Sequence, residues 1–270
     1  MNILVCVKQV PDPETPPAGF KVDSAAKQAI PALGTAAVIS PFDENALEAA
    51  LRIKDAYGGT ITALTMGPPE AEDVLRHALA LGADEGFLLP SLDINEFDSY
   101  SIAYALALAA RKIGTFDLIL CGREAADWNA GQVGLGMAEF LGIPAVSLVK
   151  RIELIEDKLR LERVAPGGYE VVEVAPPVLL SITNELGQPR YPNLKGILAA
   201  KKKQINSLTA QDISSGSDSL SQDPVLKLLD LFIPTKERQC QFFQVGSVEE
   251  AAALLAQKII ELNPNREQCL

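Results

Sequence analysis

Histidine and clustered cysteine are scarce in this sequence. It has one histidine, His77, and four widely separated cysteines, Cys6, Cys121, Cys240 and Cys269. No CxxC spacing or second histidine is present, so the pattern favours neither a zinc site nor a disulfide scaffold. GxSxG and Walker motifs are also absent, so the sequence lacks two common signatures, that of α/β-hydrolases and that of P-loop nucleoside triphosphatases. We expect ordinary thiols in a reducing compartment, and a packing or surface role for the lone histidine.

Long apolar runs and positive charge are equally sparse. No run approaches the roughly 20 apolar residues that a membrane-spanning helix needs, and strand-like sequence begins almost at Met1. We therefore expect no transmembrane segment and no signal or transit peptide. The net charge of -11 disfavours nucleic-acid binding, because such binding relies on clustered Lys and Arg. The one basic run, residues 201–203, is expected to be a solvated helix end. These features predict a cytoplasmic protein.

What the sequence does contain, up to about residue 150, is an alternation of short β-branched runs with amphipathic stretches. That order builds a parallel sheet with flanking helices, so the fold class is α/β. Strands are predicted at residues 3–7, 60–66, 86–89, 117–121 and 145–149. Helices are predicted at residues 45–57, with Asp43 as N-cap, from Pro68 to Gly82, at 101–113 and at 131–141.

Beyond residue 149 the pattern changes to strict alternation, which indicates antiparallel additions to the sheet. They are predicted at residues 151–155, 158–164 and 169–174, with a further strand at 178–182. Residues 204–224 are rich in Ser, Asp and Gln, which is typical of a flexible linker or extended arm. Ser247 and Glu250 form a capping-box pattern that opens an amphipathic helix ending near Leu262. We expect an α/β domain at 1–203 and a C-terminal arm at 204–270 whose helix packs on a partner subunit.

The stretch 121–134, CGREAADWNAGQVG, joins a predicted strand to a predicted helix. Such a junction exposes backbone N–H groups and the positive end of the helix dipole, which suits a phosphate. Gly131 and Gly134 permit close approach of a ligand. Side chains for a phosphate, a ribose or the loop's own turn are offered by Gln132, Asp127 and Asn129. An ordinary strand-to-helix loop with a cap explains the same residues.

Further loops are predicted to meet this one at the carboxyl edge of the sheet. They are residues 7–12, the SPFD segment at 40–43 and residues 66–69. Open α/β sheets bind their ligands at that edge, and the expected ligand is an adenine nucleotide. Capping of the first helix would explain Asp43 without a ligand.

Several motifs then make a family resemblance visible. They are ILVCVKQVPD, TMGPPEAEDVLRHALALGADE, CGREAADWNAGQVG and LGQPRYPNLKGILAAKKK. With them the sequence resembles the beta subunit of electron transfer flavoproteins, from Met1 to about Ile205. The resemblance implies an adenine-nucleotide alpha-hydrolase-like fold, AMP in this subunit, and an alpha subunit whose FAD carries the electrons. The nucleotide contacts that it implies are Cys6, Ser40, Pro41, Phe42, Asp43, Met66, Gly122, Arg123, Glu124, Ala125, Ala126, Asp127, Trp128, Asn129, Ala130, Gly131, Gln132 and Val133.

The resemblance also implies a recognition loop at residues 190–197. Its partner-binding residues would be Arg190, Tyr191, Leu194 and Ile197. Leu194 would insert into acyl-CoA or other dehydrogenases, and electrons would pass on to a quinone reductase or another acceptor. An apolar side chain held out by a proline-bracketed loop suits such transient docking. The alternative is that Leu194 packs on the following helix.

The nucleotide itself stays open between AMP and a second FAD. Many relatives have Asp-Gly-Asp-Thr where this chain has Asp127, Trp128, Asn129 and Ala130. The MGPP sequence at residues 66–69 also resembles electron-bifurcating members, in which a second FAD takes hydride from NADH. Trp128 would either stack on a ligand or cover the loop.

Two readings from other classes remain as alternatives. One is a stand-alone adenine-nucleotide-binding protein of the stress type, against which the C-terminal arm counts. The other is an ATP pyrophosphatase, because residues 214–219, SSGSDS, resemble the SGGxDS loop of such enzymes. That loop should follow the first strand, whereas this string lies in a serine-rich segment where it arises easily by chance.

Overall fold

The computed structural model describes residues 1–91, 98–213, 225–233, 240–243 and 245–262. The chain divides into two compact units, Met1–Leu231 and Phe232–Leu270. The predicted SSGSDS resemblance at 214–219 lies outside the described residues. A functional boundary between residues 203 and 204 stays a prediction.

The strands are short and most of them lie in the first half of the chain. Their bounds are β1 Asn2–Cys6, β2 Gln9–Pro11, β3 Phe20–Asp23, β4 Gln28–Pro31, β5 Ala37–Ile39, β6 Thr60–Gly67, β7 Glu85–Pro90, β8 Leu118–Gly122, β9 Ala145–Ile155, β10 Lys158–Ala165, β11 Gly168–Val174, β12 Val178–Ile182 and β13 Asn206–Ser207. The helices are α1 Pro41–Tyr57, α2 Glu72–Leu81, α3 Ser99–Ile113, α4 Val133–Leu141, α5 Leu194–Ala200, α6 Ala210–Ile213 and α7 Val248–Leu262.

Within the described residues a nine-stranded sheet forms the centre of the larger unit, in the order β11-β10-β9-β12-β8-β1-β6-β7-β13. The seven neighbouring strands β9, β12, β8, β1, β6, β7 and β13 pair in parallel. Strand β10 pairs with β9, and β11 with β10, in antiparallel fashion. The predicted α/β fold with antiparallel additions is confirmed. The central strands carry unbroken apolar runs because helices cover both of their faces; Ile3, Leu4 and Val5 of β1 are fully buried.

The helices lie in two layers whose side chains form separate core clusters. Leu47 of α1 and Leu75 of α2 pack on one face of the sheet with Ile3 and Val5. Leu106 of α3 and Met137 of α4 share the other cluster with Leu4, Leu64 and Leu179, residues that point the opposite way because side chains alternate along a strand.

Helix α1 begins earlier than the sequence pattern predicted. Its N-cap is Ser40 and Pro41 stands at the first helical position, where its fixed φ suits a helix and its missing N–H costs nothing. The prediction that Asp43 caps the helix is wrong, since its carboxylate accepts from the backbone of other segments. Helix α4 begins at Val133 rather than residue 131, because Gly131 has a φ of 63° that does not fit a right-handed helix.

The predicted linker is partly ordered. Strand β13 pairs with β7, and Leu208 and Ile213 are buried, so of the two alternatives predicted for residues 204–224 the flexible linker is wrong for residues 206–213. The basic run is also not fully solvated. Lys203 Nζ donates to the carbonyls of Ala83, at 2.7 Å, and Asp84, at 3.1 Å.

Helix α7 in the smaller unit begins with the predicted capping residues. The Glu250 N–H donates to Ser247 Oγ at 3.2 Å, and Glu250 Oε2 accepts from the Gly246 N–H at 3.2 Å. The apolar side chains of α7 stay exposed, among them Val248, Ile260 and Leu262. Among the described residues of the whole chain, no helix combines the length and hydrophobicity that crossing a bilayer requires.

Candidate functional site

The candidate site lies at the carboxyl edge of the parallel sheet, where β1, β6 and β8 end. Helix α1 begins beside the ends of β1 and β8, and α4 follows the loop after β8. The residues predicted from the sequence therefore come together around the 122–133 segment, called here the nucleotide loop. Helix N-termini at one sheet edge concentrate positive dipole ends, which favours an anion such as a phosphate.

Asp43 ties this edge together. Its Oδ2 accepts from the Lys8 N–H and its Oδ1 from the Gly122 N–H, both at 2.9 Å, so one carboxylate joins the segment just after β1 to the last residue of β8. The side chain is buried at 7% exposure. Burial raises the pKa of Asp43 to about 7, although the hydrogen bonds from Gly122 and Lys8 oppose that shift. Nearby, Lys8 Nζ and Asp127 Oδ2 form an ion pair at 2.7 Å.

Contacts with α1 also hold the nucleotide loop. Ser40, which is fully buried, accepts from the Ala126 N–H at 3.4 Å. The Arg123 guanidinium lies 4.8 Å from the centroid of the Phe42 ring and pairs with Glu124 at 2.7 Å. These contacts fix both the entry and the middle of the loop against the start of α1.

The last part of the loop has an unusual backbone. Asn129 and Gly131 both have positive φ, 51° and 63°, and the Asn129 N–H donates to the Ala125 carbonyl at 2.8 Å. A Cβ on Gly131 would lie 3.0 Å from the Arg123 carbonyl oxygen, so the loop needs glycine there. Trp128 is 55% exposed, which leaves its ring free to cover a ligand.

The N-terminus of α4 closes the loop. Gln132 is the N-cap, and within the described structure its side chain makes no capping hydrogen bond. The first N–H groups of the helix consequently lie at the loop without a side-chain cap, an arrangement that suits an anion. Gly134, which the sequence suggested for ligand approach, faces the core instead, because a Cβ there would lie 2.3 Å from Cys121 Sγ.

Sulfur-containing residues lie in the core near the carboxyl ends of β1, β6 and β8. Cys6 Sγ lies 3.8 Å from Met137 Sδ, and Met66 is buried in the same core cluster as Cys121. Burial and the charge of Asp43 raise the pKa of the Cys6 thiol to about 12, and burial raises the pKa of Cys121 as well. Both thiols stay protonated at neutral pH and pack as small apolar groups.

His77 pairs with Glu44, in the first turn of α1, at 2.8 Å. The described residues hold no group of three or more His, Cys, Asp or Glu that could bind a metal ion.

A second candidate region is the recognition loop, residues 190–197. Tyr191 is 83% exposed and Leu194 is 72% exposed, so Leu194 does not pack on the following helix. Asn193 caps α5 by accepting from the Gly196 N–H at 2.8 Å, which sets Leu194 at the exposed first position of the helix.

The structure adds a residue that the sequence reading missed. Leu198 is 53% exposed and lies one turn beyond Leu194, and the i, i+4 spacing was the available signal. An open groove of about 630 Å³ is lined by Leu194, Lys195, Leu198, Ala199 and Lys202. Ile197 is less exposed, at 38%.

Comparison with known proteins agrees with this architecture. Residues 32–213 match the family model described as the electron transfer flavoprotein domain. The chain is 41% identical to the electron transfer flavoprotein subunit beta of Thermoanaerobacterium thermosaccharolyticum, over 96% of this chain and 98% of that protein. It is 38% identical to the corresponding subunit of Megasphaera elsdenii, over 96% and 100%. It is also 36% identical to the caffeyl-CoA reductase-Etf complex subunit CarD of Acetobacterium woodii, over 97% and 98%.

The family model covers most of the α/β unit, including α1, the nucleotide loop and the recognition loop. The relatives match over nearly their entire length and at identities well above those at which a fold alone is shared. The chain belongs to the electron transfer flavoprotein family, in its beta-subunit branch.

Proposed function

We propose that this chain is the subunit of a heterodimeric electron transfer flavoprotein that docks dehydrogenase partners and binds AMP, while an alpha subunit holds most of the FAD site. The observation that carries the proposal is the exposure of Tyr191, Leu194 and Leu198 on a segment held at both ends. Three large apolar side chains on one exposed segment are typical of a binding surface. Acyl-CoA or other dehydrogenases would donate electrons, and a quinone reductase or another acceptor would receive them, in the cytoplasm.

AMP would be held at the carboxyl edge. Its phosphate suits the start of α4, where the Gln132 side chain leaves the first N–H groups uncapped, and Asp127 and Asn129 supply polar groups for the ribose. Gly131 allows the loop backbone its positive φ and its close approach to the Arg123 carbonyl. Bound AMP would stabilise the folded subunit by mass action, whereas the FAD of the complex supplies the electron-carrying flavin.

The C-terminal region, residues 204–270, would serve assembly. Helix α7 leaves Val248, Leu255 and Leu262 exposed, and their spacing of seven residues puts them on one face. An amphipathic helix with an uncovered apolar stripe suits a subunit interface, and we assign the alpha subunit as its cover. A stand-alone nucleotide-binding protein of the stress type has no partner subunit that would bury this apolar surface.

A second candidate function is that of a bifurcating subunit with its own FAD, which takes hydride from NADH. The observation that favours it is the Asp127-Trp128-Asn129-Ala130 sequence, in which an exposed tryptophan is free to stack on a flavin. One relative is named as a subunit of a caffeyl-CoA reductase-Etf complex, and another as the electron transfer subunit gamma of an acryloyl-CoA reductase.

Cofactor content separates the two functions. We expect the purified complex with its alpha subunit, after denaturation, to release one FAD and one AMP per heterodimer. Two FAD and no AMP would establish the bifurcating function instead. Recovery of the chain as a monomer with nucleotide but no alpha subunit would favour the stand-alone protein.

Leu194→Ala tests the docking role. We expect the affinity of the complex for its acyl-CoA dehydrogenase to fall about 10–30-fold, because truncating a hot-spot side chain costs about 1.4–2 kcal/mol. The dehydrogenase used is the one that reduces the wild-type complex fastest. Its affinity is measured by titrating it against the immobilised complex. FAD and AMP content should not change.

Leu33→Ala is the matched control, since Leu33 is another exposed leucine but lies far along the chain from the recognition loop. It should bind the dehydrogenase as the wild type does. Equal affinity of the Leu194→Ala and wild-type complexes would refute the docking role.

A further inference from the structure

The segment that leads into the recognition loop is bound to α1 by arginine side chains. Arg52 donates through one guanidinium nitrogen to the Leu186 carbonyl at 2.9 Å and through the other to the Gln188 carbonyl at 3.4 Å. Its Nε donates to Glu48 Oε1 at 2.7 Å. Residues 186–188 thus follow the surface of α1 rather than extending into solvent.

Glu48 also holds the first residue of the loop. Its Oε2 accepts from Arg190 Nε at 2.8 Å and from the Arg190 backbone N–H at 3.3 Å. Arg190 forms a further ion pair with Asp55 at 2.8 Å. The guanidinium that the sequence suggested for partner binding is therefore engaged within the chain, by two carboxylates of one helix.

The Glu48 side chain is nearly inaccessible, at 6% exposure, although it is a charged residue on a helix. Burial by itself raises the pKa of Glu48, but hydrogen bonds from Arg190 and Arg52 outweigh it and hold the pKa below its usual range. A buried carboxylate between two guanidinium groups interacts strongly with both. Loss of its charge therefore removes an ion pair from Arg52 and another from Arg190.

The far end of the loop is fixed to α2. A Cβ on Gly196 would lie 2.2 Å from the Ala80 carbonyl oxygen, so α5 approaches the end of α2 at backbone distance. Arg76 donates to the Ala200 carbonyl at 2.9 Å and also to the Lys203 carbonyl. With Lys203 bound to the carbonyls after α2, this end of α5 cannot shift freely.

Between these two anchors lie Tyr191 and Leu194, with their side chains in solvent. We propose that Glu48 is a positioning residue for partner docking, which fixes the base of the recognition loop through Arg190 and so presents Leu194 in a single orientation. This inference rests on the docking function proposed above. A loop that is ordered before binding loses less entropy on binding, and its affinity is not reduced by a fraction of unsuitable conformers.

Glu48→Gln in the full heterodimer tests the role. Glutamine keeps the size of the side chain but brings an amide N–H toward the guanidinium groups. We expect about 5–10-fold weaker binding of the same dehydrogenase, as follows if only about 10–20% of the loop population stays competent. Amide hydrogen exchange of residues 190–195 should become faster. FAD and AMP content should match the wild type.

Glu44→Gln is the matched control, because it removes the α1 carboxylate one turn before Glu48, which pairs with His77 instead of Arg190. It should leave both docking and exchange of residues 190–195 unchanged. Arg190→Gln is the second variant, since it loosens the loop while Arg52 still neutralises Glu48. It should weaken docking to a similar extent even if Glu48→Gln fails to fold.

A double-mutant cycle with Leu194→Ala separates positioning from general stability. Once Leu194 is truncated, its orientation no longer matters, so Glu48→Gln should then weaken docking less than about 2-fold. Suppose that Leu194→Ala weakens docking but neither Glu48→Gln nor Arg190→Gln does, or that the effects of these two variants persist in full in the Leu194→Ala background. Either result would refute the positioning role and leave the docking function standing. If Leu194→Ala itself has no effect, the docking function and the positioning role both fail.

Discussion

The free energy of unfolding of the chain should decrease as the pH rises from about 5.5 to 8, by about 2 kcal/mol relative to Asp43→Asn. The cause is the carboxyl of Asp43, whose pKa burial raises from 3.8 to about 7 in the folded chain. Between those two pKa values the folded state holds a proton that the unfolded state has released. Stability from this group is therefore present at low pH and is lost as the pH rises through the folded pKa.

The measurement is urea unfolding of the wild type and Asp43→Asn in parallel, over a pH range that stays above the isoelectric point of about 4.7. The asparagine variant lacks the titration, so the difference between the two curves isolates Asp43. Glu48→Gln is a control without a slope, because the pKa of Glu48 is lowered below its usual range and its titration lies below these pH values. Its difference from the wild type should stay constant over the range. A constant difference between wild type and Asp43→Asn would show that Asp43 is ionised throughout.

The same residue shows where reading the sequence succeeded and where it failed. Asp43 was correctly assigned to the carboxyl edge, because a polar SPFD segment before an amphipathic run must lie at a helix start. Its role was missed, since capping rules are local. The groups that bind its carboxylate are the N–H groups of Lys8 and Gly122, and Gly122 lies 79 positions away. Only the assembled sheet brings the ends of β1 and β8 to one carboxylate.

The central strands were predictable for a physical reason. A strand covered by helices on both faces must be apolar at every position, so β8 and β12 stand out as short continuous runs. The paired contact of Glu48 with Arg190 leaves no such pattern, because 142 positions separate the two residues. A charged residue on a helix normally indicates a solvated face, and Glu48 departs from that expectation only through its partners.

Gly134→Ala should destabilise the chain by about 3 kcal/mol and lower its melting temperature by about 6–12 °C. In a helix, alanine is normally favoured over glycine by up to about 1 kcal/mol, so the sign of the effect is diagnostic. Here the added Cβ would lie 2.3 Å from Cys121 Sγ, a distance at which either the sulfur or the start of α4 must shift. The Cys121 thiol is itself buried between α4 and the sheet and has little room to turn.

Cys121→Ala should rescue the variant, because without the sulfur the new Cβ would meet Cys121 Cβ at 3.6 Å, an ordinary contact. The double variant should unfold within about 1 kcal/mol of Cys121→Ala alone. Gly168→Ala is the control, since no described atom lies within 4 Å of the Cβ it would add, and its effect should stay within about 0.5 kcal/mol. Thermal unfolding of the four variants checks these values.

Because Gly134 lies one residue inside α4, a shift there would also move the N–H groups proposed to hold the nucleotide phosphate. AMP content per heterodimer should therefore fall in Gly134→Ala and recover in the double variant with Cys121→Ala. Lost stability with unchanged AMP content would separate the packing of α4 from the nucleotide site. It would leave the bound phosphate to other parts of residues 122–133.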